Sequence, residues 1–132
     1  GSTFGGNPLA MTAVVTTIDT IREEDLLANA VKVGDAIRGG LAAALKDRAG
    51  VTEVRGMGLM IGIELDRPCG ELVQLALETG LVINVTAENV VRLLPPLVMS
   101  EVEGRAVVER LAPLARDFLA QPAALLAAAA AG

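Results

Sequence analysis

The chain has 132 residues with 11 basic and 16 acidic side chains, a formal net charge of −5, which fits one small acidic domain and disfavours a nucleic-acid module built on a basic stripe and stacking aromatics. Phe4 and Phe118 are the two aromatics and there is no Trp, Tyr or His, so 52% hydrophobic residues must make a core of Ala, Leu, Val and Ile with Met as filler. That apolar content excludes intrinsic disorder, and the lack of His excludes the usual zinc, haem and His-based catalytic sets, leaving only carboxylate or carbonyl metal sites, of which none is assigned.

A first helix is predicted from Asn7 to Arg22, with Asn7 as cap and Pro8 at the first helical position, where its missing N–H costs nothing. Met11, Val14, Val15, Ile18 and Ile21 share one face of it, which belongs in a core or against another subunit. A second helix is predicted from about Glu24 to Arg48, burying Leu27, Val31, Ile37, Leu41 and Leu45, although Gly34, Gly39 and Gly40 each cost up to about 1 kcal/mol against Ala.

The period then changes. Leu59, Ile61, Ile63 and Leu65 alternate with Met60, Gly62 and Glu64 as in a half-buried strand, and Arg55-Gly56-Met57-Gly58 reads as a turn or bulge, with Arg55 bracing it. Glu71 to Thr79 fits a short helix stopped by Gly80. Leu81–Val85 and Asn89–Leu94 read as two more strands, joined through Thr86-Ala87-Glu88 and ended by Pro95-Pro96. Ser100 and Glu103 form a capping box opening a last helix along Val107, Leu111, Leu114 and Phe118, with Pro113 placed to kink it. The Ala-rich tail, 121–132, is expected to fray. The fold class is α+β: a small, mainly antiparallel sheet of three to four strands with packed helices.

Two segments can carry chemistry. In Gly1-Ser2-Thr3-Phe4-Gly5-Gly6-Asn7-Pro8, two hydroxyls precede a Gly-Gly pair and a capped helix, an arrangement able to hold phosphate. It lacks the Gly-Lys-Ser/Thr ending of a Walker loop, and the competing reading is a flexible terminus with Gly1-Ser2 a cloning remnant. Arg92 lies inside the apolar run Val90–Leu94, on one strand face with Val90 and Leu94. A guanidinium there needs an anion, either a ligand carboxylate held by its planar fork or a structural partner such as Glu53, Glu64 or Glu88; an edge strand with Arg92 in water is the third reading. Cys69, the one thiol, excludes an internal disulfide, has no neighbouring base and reads as an ordinary small residue; it fits a reducing, cytoplasmic setting. No run reaches the roughly 18 apolar residues of a membrane span.

GSTFGGNPLA at 1–10, VRGMGLMIGIELDRPCGELV at 54–73, GLVIN at 80–84 and NVVRLLPPL at 89–97 occur in this order and resemble the C-terminal part of class III aminotransferases, pyridoxal 5'-phosphate enzymes of fold type I. The resemblance implies a phosphate-contact loop and connecting helix at 1–22, the C-terminal small domain at 23–120 and a tail at 121–132. It implies that Thr3, with Ser2 second, donates to the cofactor phosphate in the other subunit of a homodimer. Arg92 matches the residue that holds the substrate α-carboxylate. The Schiff-base lysine has no counterpart, since Lys32 and Lys46 both fall on the second helix; no catalytic residue is therefore assigned, and the chain alone is expected to be an inactive part of a longer enzyme. The implied reaction moves the δ-amino group of N-acetylornithine to 2-oxoglutarate, giving glutamate on the arginine pathway. Ornithine, succinylornithine or 4-aminobutyrate as donor, or a non-catalytic α+β binding or dimerisation module, are the alternatives.

Overall fold

The computed structural model describes residues 3–121. Four helices and four strands follow one another as α1 (Pro8–Glu23), α2 (Leu26–Ala44), β1 (Val51–Met57), β2 (Met60–Leu65), α3 (Glu71–Glu78), β3 (Asn84–Thr86), β4 (Val90–Leu93) and α4 (Glu101–Ala120). The strands form one antiparallel sheet in the order β1-β2-β4-β3, the α+β architecture read from the sequence. The expected tail lies, from residue 122 on, outside the described residues.

Alternation along β2 and β4 gives the sheet two unlike faces. Ile61, Ile63, Leu65, Val91 and Leu93 point into the core, where they meet Val33, Ile37 and Leu41 of α2, Leu72 and Ala76 of α3, and Leu111, Ala115 and Phe118 of α4. Each large aliphatic buried there contributes about 1.5–3 kcal/mol by leaving water. The other face carries Met60, Gly62 and Glu64 on β2 with Val90 and Arg92 on β4, and none of these is fully buried.

The chain ends its helices as the sequence asks. Asn7 Oδ1 accepts the Ala10 amide at 2.9 Å and Pro8 opens α1. Ser100 and Glu103 complete a reciprocal capping box at α4, which continues through Pro113 to Ala120. Gly80, at φ +73°, stops α3, and the Leu81 amide returns to Ala76 O at 2.9 Å. That last bond uses Leu81 to cap a helix, so the strand expected from Leu81 starts only at Asn84.

Three further expectations are corrected. The buried stripe of α2 is Leu26, Ala30, Val33, Gly34, Ile37 and Leu41, whereas Leu27 and Val31 are exposed. Residues 55–57 extend β1, and the reversal is the two-residue loop Gly58-Leu59, with Gly58 at φ +53°. Arg55 does not brace that turn; Arg38 does, donating from Nη1 to Gly56 O at 2.8 Å. Of the two places expected for the apolar face of α1, the core is not the one taken: α1 buries no residue, and Met11, Val14, Val15 and Ile18 are exposed.

Candidate functional site

Arg92 sits at the centre of the open sheet face. Its register partners are Gly62 on β2 and Asn84 on β3, and Gly62 in turn pairs with Arg55 on β1. Four strands thus set Arg55, Gly62, Arg92 and Asn84 in one row, with Gly62, which has no side chain, between the two arginines and bordered by Val90 and the stem of Arg55. One row along lie Glu53, Glu64, Val90 and Thr86.

The carboxylates of that second row are taken by Arg55. Its Nη1 lies 2.5 Å from Glu64 Oε2 and 3.1 Å from Glu53 Oε2. Glu64's hydrogen bond, with help from the charges of Glu64 and Glu53, raises the Arg55 pKa above its already high ordinary value. Among the described residues no carboxylate pairs with Arg92, and its guanidinium makes no hydrogen bond. Of the structural partners weighed from the sequence, Glu53 and Glu64 are committed elsewhere, and Glu88 makes no ion pair. Arg92 is exposed to solvent but lies on an inner strand, with neighbours on both sides. What remains is an uncommitted guanidinium fork on an inner strand, the arrangement suited to a carboxylate.

Two anchors absent from the sequence reading fix the ends of this strand. Asn89 Nδ2 donates to Leu65 O at 2.8 Å while the Leu65 amide donates to Asn89 O at 2.9 Å, tying the β3–β4 turn to the end of β2. After Pro95-Pro96, Asn29 Nδ2 of α2 donates to Leu97 O at 2.7 Å and Met99 O at 3.0 Å. A side-chain amide at a half-buried helix position is the only sequence signal for this clamp, and it has no local partner to reveal it.

Thr3 lies exposed in the turn Thr3–Gly6, ahead of α1, while Ser2 lies outside the described residues. Asn7 organises the turn, with Nδ2 donating to Phe4 O at 2.9 Å, and Gly6 takes φ +78°. The Thr3 hydroxyl has no hydrogen-bond partner among the described residues. Among the elements α1 packs against α2 alone, and no hydrogen bond or ion pair joins the Thr3 turn to the Arg92 strand. The two sequence-predicted sites therefore stay separate within this chain.

Two lysines and one thiol are the other candidates. Lys32 pairs with Glu101 at 2.5 Å, and Lys46 lies exposed just after α2. Burial pushes the Cys69 thiol up to about 11, which makes it a packing residue in the core. Among the described residues, no helix is long and apolar enough to cross a membrane.

An open, strand-borne arginine and a hydroxyl turn leading into a capped helix are the two parts of this small α+β unit whose chemistry suits an anion, and comparison with known proteins gives its family. The aminotransferase class-III family model matches residues 1–114, and the chain belongs to that family. It is 56% identical over 121 residues to acetylornithine aminotransferase 1 of Bordetella bronchiseptica, covering 92% of this chain and 31% of the relative. Acetylornithine aminotransferase of Nitrosomonas europaea is 48% identical over 118 residues. Among solved structures, ornithine delta-aminotransferase of Plasmodium falciparum superposes with a TM-score of 0.85 at 32% identity, covering 92% of this chain and 32% of that one. Acetylornithine aminotransferase from Elizabethkingia anophelis gives 0.81 at 32% identity, over 86% of this chain and 30% of that one. The chain thus spans about a third of the length of the relatives it matches.

Proposed function

We propose that this chain is the C-terminal part of a pyridoxal 5'-phosphate-dependent aminotransferase that moves the δ-amino group of N-acetylornithine to 2-oxoglutarate. The observation that carries the proposal is Arg92, a guanidinium held on an inner strand with no carboxylate paired to it among the described residues. Its planar fork grips the α-carboxylate of glutamate and of 2-oxoglutarate, next to the carbon that gains or loses the amino group, leaving the rest of each substrate to be read by other surfaces.

The residues present fit one end of the cofactor. In this reading the exposed Thr3 hydroxyl donates to a phosphate oxygen and Ser2 is the second donor, which the turn ahead of α1, with Gly6 at φ +78°, supports. When bound, pyridoxal phosphate supplies the electron sink for amino-group transfer. Neither lysine fits the role of holding the cofactor's reactive carbon, since Lys32 is paired with Glu101 and Lys46 stands in an exposed turn. That lysine belongs upstream, on a larger domain.

In this reading residues 1–22 form the phosphate-contact loop and a connecting helix, and 23–120 form the small domain. The separation of the Thr3 turn from the Arg92 strand supports a homodimer in which Thr3 serves the partner's cofactor phosphate while Arg92 serves substrate. The exposed apolar face of α1 supports the same assembly, because Val14, Val15 and Ile18 need a surface to cover them. A cytoplasmic enzyme of arginine biosynthesis fits these parts.

Ornithine is the competing donor, because the solved relatives include ornithine aminotransferases. Side-by-side assays of the full-length enzyme with N-acetylornithine, ornithine, succinylornithine and 4-aminobutyrate test the assignment. The highest kcat/KM belongs to N-acetylornithine; a higher value for another donor replaces the assignment, and no transamination with any of them overturns it.

A further inference from the structure

The register of the open sheet face sets up a competition for one carboxylate. Glu64 pairs across with Val90 on β4 and with Glu53 on β1, so Arg92 and Arg55 are its diagonal neighbours on either side of β2, each two residues out of direct register. Diagonal neighbours lie within reach of long side chains. Gly62 contributes no side chain between them. Glu64 can therefore turn to either arginine, and it takes Arg55, at 2.5 Å. Glu53, the other carboxylate of the row, also takes Arg55, at 3.1 Å.

We infer that Arg55 is a positioning residue: by holding Glu64 on the β1 side of the sheet, it keeps the Arg92 fork open for a substrate carboxylate. Arg55 itself does not touch substrate. A Glu64 released from Arg55 swings across the Gly62 gap onto Arg92 and competes with the substrate for the same donors. The inference rests on the proposed role of Arg92 and adds what keeps that role available.

The test uses the full-length enzyme with KM and kcat measured for glutamate and for 2-oxoglutarate in Arg55→Met, Glu64→Gln, the double variant and Arg92→Lys. Arg55→Met raises both KM values about fivefold with kcat nearly unchanged, the size of one modestly exposed ion pair acting as competitor. Adding Glu64→Gln to Arg55→Met returns both KM values to near wild type, a rescue that a purely structural loss does not show. Arg55→Lys, which keeps the ion pair, leaves KM near wild type and stands as the second variant if Arg55→Met accumulates poorly. An unchanged KM in Arg55→Met, or an elevated KM that persists in the double variant, overturns the inference while a raised KM in Arg92→Lys leaves the Arg92 role standing. Unchanged KM values in Arg92→Lys overturn both.

Discussion

Gly34 of α2 lies against the backbone of Gly58 in the β1–β2 hairpin: a Cβ on Gly34 would stand 1.9 Å from Gly58 O and 2.4 Å from its carbonyl carbon. The helix can cross the hairpin loop this closely because Gly34 carries no side chain; a Cβ on Gly58 would meet only Ala30 O, at 3.8 Å. Gly39, five residues along, has nothing within 4 Å of its ideal Cβ.

These two glycines predict opposite outcomes for the same substitution. Gly34→Ala forces backbone apart and lowers stability by about 3 kcal/mol, beyond any gain in helix propensity. Gly39→Ala meets no obstacle and raises stability by about 0.5–1 kcal/mol. Urea denaturation of the two variants reads both signs.

The β3–β4 turn stores strain. Ala87 and Glu88 take φ of +48° and +65°, the left-handed region that side-chain-bearing residues avoid. Relieving a cost of about 1–2 kcal/mol while paying the extra chain entropy of glycine, Glu88→Gly gains about 0.5–1 kcal/mol. A higher denaturation midpoint with unchanged slope checks it.

At α4, the Ser100 amide donates to Glu103 Oε2 at 2.8 Å and the Ser100 hydroxyl at 2.7 Å, which holds the Glu103 carboxyl below its ordinary value of 4.5. A carboxyl whose folded pKa is depressed adds stability above its unfolded pKa and loses it as pH falls through the folded value. Stability therefore declines as the solution is acidified below 4.5, and Glu103→Gln flattens that decline. Ser100→Ala costs about 1 kcal/mol at pH 7. Denaturation curves at neutral and acid pH separate the two effects.

Cys69 is fully buried and its thiol is pushed up to about 11. It resists a thiol-specific chromogenic reagent at pH 8 in the folded chain and reacts rapidly in denaturant. Fast labelling without denaturant contradicts the packing of the α3 entrance against the sheet.

Local signals were the legible part of this fold. Asn7-Pro8, the Ser100–Glu103 box, the β2 alternation and the Gly80 stop each act within a few residues, and each appears where the sequence puts it. Ile37, Leu41 and Leu45 are buried as expected, but the face of the first half of α2 was not legible, because two apolar stripes compete along it. The stripe that wins contains Ala30 and Gly34, chosen by smallness where the hairpin crosses, while the larger Leu27 and Val31 stay outside. At the site, the strand face of Arg92 was readable from alternation. That Glu64 answers to Arg55 was not, because it depends on a register between strands that sequence spacing does not encode.

The central claim is that Arg92 holds the α-carboxylate of glutamate and 2-oxoglutarate, and the most direct test is steady-state kinetics of Arg92→Lys in the full-length enzyme. Lysine keeps the charge and loses the bidentate fork, so the KM values for glutamate and 2-oxoglutarate rise together by about tenfold. Both constants remaining at wild-type values would contradict the account and leave Arg92 a surface residue of the sheet.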